Sequence, residues 1–167
     1  MNIKLMPWSL EYAESIACHA NNKNIANNLR NTFPSPYTYE DAVNFIKTMI
    51  NDEISYSRAI VVNNEAVGSI GIHFQNDVYS KSAELGYWLS EEYWNKGIIT
   101  ESIKEITSDG FSKFDIVRIY AEPFACNESS KRVLEKVGFN LEGIKRKSVF
   151  KNGKYYDSYL FSLIKNP

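Results

Sequence analysis

The apolar residues change their spacing near residue 55, and that change narrows the fold to one mixing helices with strands. Before it, a short run at residues 3–6 suits a first strand. Ser9 is then placed to cap a helix to about residue 20, with Leu10, Ala13, Ile16, Ala17 and Ala20 on one face. Residues 21–31 are polar and carry no clear pattern. Pro34 and Pro36 make residues 33–37 a loop. Thr38 is placed to cap a second helix, with Asp41 at its third position and Ala42, Phe45, Ile46 and Met49 inward.

After the change, β-branched residues dominate. Residues 56–62 and 66–74 flank Asn63-Asn64 and read as a hairpin. Residues 82–89 give a further strand. Ile99, Ile103 and Ile106 set a helix over 97–110, and 116–121 is again a strand. Residues 127–137 form a helix capped by Asn127 and stopped at Gly138. Strands 139–149 and 154–163 meet at Asn152-Gly153, a strong two-residue turn signal. The order is β-α-α-β-β-β-α-β-α-β-β. It predicts one α/β (α+β) domain over residues 1–167, built on a mixed sheet.

The 167 residues are 44% hydrophobic and 23% charged, which suits one globular domain. Nineteen Lys and Arg against 20 Asp and Glu leave a net charge of −1, so nucleic acid and anionic membranes are not expected partners. No apolar run approaches the ~18 residues of a membrane helix. The N-terminus carries no long apolar segment of the secretory kind, and a cytoplasmic protein is expected. Cys18, Cys126, His19 and His73 are not at metal-ligand spacing, so no metal is expected.

All eight glycines lie at or after Gly68. Glycine admits turns and close approaches to a ligand, so the second half is where a phosphate cradle belongs. The segment Glu84-Leu85-Gly86-Tyr87-Trp88-Leu89…Tyr93-Trp94-Asn95-Lys96-Gly97-Ile98-Ile99-Thr100-Glu101 carries one: a strand, a short loop, then a helix opening at a glycine. Free N–H groups and the dipole at such a helix start suit a pyrophosphate. Lys96 adds charge and Thr100 a hydroxyl. No GxxxxGK[ST] or GxGxxG motif occurs, which argues against nucleoside triphosphates and dinucleotides. In the second unit, Asn127 to Phe139, Ser130 shares a helix face with Val133, Leu134 and Val137. An inward serine there has two readings, a hydroxyl bonded to helix backbone and a hydroxyl turned to a ligand.

Together these units resemble the GNAT superfamily of acyl-CoA-dependent N-acetyltransferases, in the branch of the RimJ/RimL ribosomal-protein acetyltransferases. Asn127-x-x-Ser130, Gly138-Phe139, Glu142-Gly143 and Asn152-Gly153-Lys154-x-x-Asp157 carry the likeness further along the chain. The resemblance implies a three-layer fold whose mixed, splayed sheet is flanked by helices. It implies acetyl-CoA, with no metal, wedged between strands 82–89 and 116–121. Trp88, Leu89 and Ser90 would face the pantetheine along a free strand edge. Asn95, Lys96, Gly97, Ile98, Ile99 and Thr100 would hold the pyrophosphate, and Asn127 and Ser130 would face the pantetheine and its thiol. Two positions depart from the superfamily pattern. Ile99 stands where a small residue is usual, and Leu134 stands where many members carry a tyrosine general acid.

The implied reaction is direct attack by a primary amine on the thioester. The acceptor would be a protein N-terminus or a small-molecule amine. Glu84 is the candidate base, on the expectation that apolar neighbours raise its pKa. Ser130 is the candidate acid for the departing thiolate. A backbone N–H at a bulge in strand 82–89 would polarise the carbonyl. A homodimer is common among similar proteins. The alternative is a non-catalytic acyl-CoA-binding sensor or interaction module.

Overall fold

The computed structural model describes residues 1–166. Its strands are β1 (Ile3–Met6), β2 (Ser55–Val62), β3 (Glu65–Phe74), β4 (Ser82–Leu89), β5 (Arg118–Ala121), β6 (Asn140–Lys151) and β7 (Lys154–Ile164). Its helices are α1 (Ala13–Ala20), α2 (Lys23–Ala26), α3 (Tyr39–Ile50), α4 (Ile98–Lys113) and α5 (Glu128–Val137). The strands form one sheet in the order β1-β2-β3-β4-β5-β7-β6. Among the described residues only the β4–β5 pair is parallel, so the sheet is mixed as expected.

Alternation along the strands builds two cores. In β2, Ile60 and Val62 join Val67, Ile70 and Ile72 of β3 beneath Ile98, Ile103 and Ile106 of α4 and Leu134 of α5. Ala59 and Val61 point the other way, towards Ala13 and Ile16 of α1 and Ala42 and Ile46 of α3. Helices therefore cover both faces, giving three layers. Gly110 sets how closely α4 approaches the sheet, since a Cβ there would lie 2.7 Å from Ile72 Cδ1.

The turn signals hold. Asn63 and Asn64 both take positive φ, as do Asn152 and Gly153, which suits tight hairpins. The Thr38 side chain accepts from the Asp41 N–H, and Asp41 accepts in return from the Thr38 N–H. Three expectations need correcting. The first helix begins as a 3-10 turn at Leu10–Tyr12, and Leu10 is 48% exposed rather than inward. The polar stretch at 21–31 contains α2, started by the Asn22 side chain, which accepts from the Asn24 N–H. The fourth helix runs on to Lys113, and the following strand starts only at Arg118.

One departure from regularity opens the sheet. β4 meets β5 only at Ser82–Arg118, Ala83–Ile119 and Glu84–Tyr120. Past Glu84, β4 continues to Leu89 against β3, while β5 ends at Ala121. Residues 85–89 thus present one edge with no strand beside it. Their pairing with β3 is in register throughout, so β4 has no bulge there; register shifts lie in β2, between Ile60 and Val61, and in β6, between Leu141 and Gly143 and between Lys145 and Val149. Free backbone groups in β4 come from the splay.

Candidate active site

Two cavities meet at this gap. The first, about 560 Å³, runs from the β4 edge to the start of α4. The second, about 900 Å³, opens on the side of α3 and the loop that precedes it. Tyr87, Trp88, Asn127 and Ser130 line both. Trp88 points towards α1 and α3 and Tyr87 towards α4 and α5, so the passage runs through the sheet rather than over one face.

The first cavity contains most of the residues expected to hold a cofactor: Trp88, Leu89, Asn95, Gly97, Ile98, Ile99 and Thr100, with Asn127 and Ser130 opposite. Gly97 caps α4 at φ +79°, and a Cβ built on it would meet nothing within 4 Å. Its side-chain position is open space, so an incoming group can approach the backbone closely. Asn95 also takes positive φ, at 59°. The first helical bond of α4 is from the Glu101 N–H to the Gly97 carbonyl, 3.1 Å. The earlier N–H groups have no helical partner and no capping side chain. This cradle fits a pyrophosphate. The indole of Trp94 donates to the Leu89 carbonyl across 2.8 Å and ties the loop to the strand end.

Two expected residues lie elsewhere. The Ser90 side chain is buried away from the cavity, its Oγ 2.8 Å from His19 Nδ1, and His19 Nε2 lies 2.7 Å from Glu65 Oε1. The Lys96 ammonium turns back, donates to the Glu92 carbonyl at 2.8 Å and sits over the Tyr93 ring. Positive charge in the first cavity comes instead from Arg132 and Lys136 on α5. They are four residues apart and face the same way. That spacing was visible in the sequence, but it could equally describe a solvated helix face. Among the described residues, no carboxylate lines this cavity.

The second cavity has the opposite character. Asp41, Asp52, Glu84 and Glu122 line it, with Arg30 as the one Lys or Arg. Phe33, Tyr37, Phe45 and Trp88 form its apolar wall; the Phe33 and Trp88 rings meet edge-on at 5.8 Å. Burial, then the nearby charge of Asp41, pushes the Tyr37 phenol up to about 12. Glu84 stands at the wall, and Gly86 lies beside it on the same face. Its carboxylate accepts from Arg30 Nη2 at 3.0 and 3.1 Å. The expected apolar surroundings of Glu84 are therefore not what it meets, because a guanidinium from the segment after α2 reaches it.

Ser130 settles one of its two readings. Two buried hydroxyls on α4 bond back to the helix, Ser102 to the Ile98 carbonyl and Thr107 to the Ile103 carbonyl. The Ser130 hydroxyl instead bonds the phenol of Tyr87. Burial pushes that phenol up to about 12, against the opposite pull of the Ser130 bond. Leu134, in the usual tyrosine position, is wholly buried in the core.

The chain matches the acetyltransferase (GNAT) domain family over residues 2–140. It belongs to the GNAT acetyltransferase family. Among curated GNAT relatives, the uncharacterized N-acetyltransferase YoaA of Bacillus subtilis (strain 168) is 39% identical over 101 residues, covering 60% of this chain and 56% of that one. The putative ribosomal N-acetyltransferase YdaF of the same organism is 34% identical over 98 residues, covering 59% and 53%. The chain thus spans about half the length of these relatives. The microcin C7 self-immunity acetyltransferase MccE, solved with acetyl-CoA and AMP, superposes with a TM-score of 0.84 at 27% identity, over 97% of this chain and 92% of that one. The ribosomal L7/L12 α-N-protein acetyltransferase RimL, solved with coenzyme A, has the same fold, with a TM-score of 0.88 at 20% identity over 99% and 95%. Among the described residues, no helix is long and apolar enough to cross a membrane.

Proposed function

We propose that this GNAT protein transfers an acetyl group from acetyl-CoA to a primary amine by direct attack, within a single domain spanning residues 1–167. The observation carrying this reading is the junction of two cavities of opposite polarity at Tyr87, Trp88, Asn127 and Ser130. The cavity bearing Arg132, Lys136 and the open start of α4 suits the phosphates of the donor. The cavity bearing four carboxylates suits an amine that arrives as a cation.

A primary amine is mostly protonated at neutral pH and must lose a proton to attack. Glu84, alone or through a water, takes it. Glu84 passes that proton to bulk water, the amine nitrogen bonds the thioester carbon and gives its second proton to Glu84, and the C–S bond breaks. Its electron pair stays on sulfur, which receives a proton through Ser130. Free N–H groups along the unpaired β4 edge are suited to polarise the carbonyl. We place the reaction in the cytoplasm, and the acceptor is a protein N-terminus or a small-molecule amine. The Arg30–Glu84 ion pair is the observation that favours the second reading, an acyl-CoA-binding module without turnover. Release of free CoA thiol, measured from acetyl-CoA with a panel of chemically distinct amines, separates them. Turnover supports the enzyme; CoA binding without turnover on any amine supports the module.

A further inference from the structure

Tyr87 is absent from the implied cofactor set and from the superfamily's acid position, yet it stands at the junction of both cavities. It comes from the part of β4 beyond its pairing with β5, and its hydroxyl reaches across the gap to Ser130 in the first turn of α5. The Asn127 Oδ1 accepts from the Ser130 N–H at 3.3 Å, so the backbone at this serine is fixed as well.

We propose that Tyr87 is a positioning residue for the leaving-group step: its phenol donates to Ser130 Oγ and leaves the Ser130 proton to point at the departing sulfur. The inference rests on the acetyl-transfer reading above and adds a residue to it.

Three observations support the direction. A serine in the first turn of a helix has a ready alternative acceptor in the backbone, and Ser15 in the first turn of α1 uses its own, donating to the Tyr12 carbonyl at 3.2 Å. Tyr87 holds Ser130 away from that bond. A phenol is the more acidic of the two hydroxyls and so the better donor, which assigns the acceptor role to Ser130. Burial keeps the phenol protonated through the neutral range. The protons balance: the ammonium nitrogen loses two to bulk water through Glu84, Ser130 gives one to sulfur and regains one from bulk water, and Tyr87 keeps its own, so one proton is released overall.

The test is a double-mutant cycle of Tyr87→Phe and Ser130→Ala, read as kcat with acetyl-CoA and the best amine from the panel. Tyr87→Phe should lower kcat about tenfold, the size of one hydrogen bond tuned to a developing charge, with KM for acetyl-CoA changed less than about threefold. Because Tyr87 acts through Ser130, the double variant should be no slower than Ser130→Ala alone. Multiplying effects, or an unchanged kcat in Tyr87→Phe, would overturn the proposal while leaving the enzyme reading intact. No turnover by the parent with any amine would overturn both. Should Tyr87→Phe fail to fold, fluorinated tyrosine at position 87 serves instead. Its more acidic phenol should bring the alkaline loss of kcat to lower pH, and an unmoved profile would count against the role.

Discussion

Arg30 donates to both carboxylate oxygens of Glu84, at 3.0 and 3.1 Å, across the second cavity. The Arg30 side chain is 71% exposed and that of Glu84 only 20%, so the cation is the partner free to move away. An arriving ammonium group would compete for the same carboxylate. Glu84→Gln should therefore lower kcat about 10²- to 10⁴-fold, the range for a lost general base, with CoA affinity unchanged. Arg30→Met should change the amine KM and leave kcat within a few-fold. Steady-state kinetics on both variants check this, and a Glu84→Gln enzyme of parental kcat would remove Glu84 from the mechanism.

Gly97 and Gly86 separate the two cavities. Gly97 has φ +79° and lines only the first; Gly86 lines only the second and has open space where a Cβ would go. Gly97→Ala should cost about 1–2 kcal/mol in left-handed backbone strain and weaken CoA binding. Gly86→Ala should fold normally, bind CoA as the parent does and raise the amine KM. Calorimetric titration with CoA and thermal melting read both. Equal CoA affinity in Gly97→Ala and parent would argue against the α4 cradle.

Ser90 tests whether a strand-end residue acts through backbone or side chain. Its hydroxyl belongs to the Glu65–His19–Ser90 chain of contacts and not to the cavity. Ser90→Ala leaves a half-buried imidazole nitrogen without its partner and should cost about 1 kcal/mol of stability. Once folded, the variant should bind CoA with parental affinity. A large loss of affinity in a stable variant would give the hydroxyl a direct contact with the ligand.

Tyr37 and Tyr87 both have phenols pushed up to about 12, mainly by burial. In the unfolded chain each ionises near 10. Between those values the unfolded chain sheds protons that the fold retains. The stability they contribute is complete below pH 10 and is lost as pH rises towards 12. The melting temperature should fall across that window, less steeply in the Tyr37→Phe, Tyr87→Phe double variant. An identical slope in parent and double variant would show that these phenols are not shifted.

Local chemistry made most of the elements legible. The period change near residue 55, the Thr38–Asp41 capping pair, the Asn152-Gly153 turn and Gly138 after α5 each act through neighbours a few residues away. Element order and two short motifs were enough for the family. Contacts between distant residues were not legible. Tyr87 and Ser130 are 43 positions apart, and Arg30 and Glu84 are 54 apart. By alternation alone Tyr87 reads as another core aromatic, and Glu84 as a carboxylate among apolar neighbours.

The sequence by itself determined that helices cover a mixed sheet and that a helix opens at a glycine. Those outcomes follow from side-chain periodicity and backbone preference, which are local. Only the tertiary structure decided that β4 and β5 part after Glu84, that two cavities of opposite charge meet in the gap, and which side chains turn into it. Lys96 and Ser90 turn away while Arg132, Lys136 and Tyr87 turn in, because each is held by a partner or an element far along the chain.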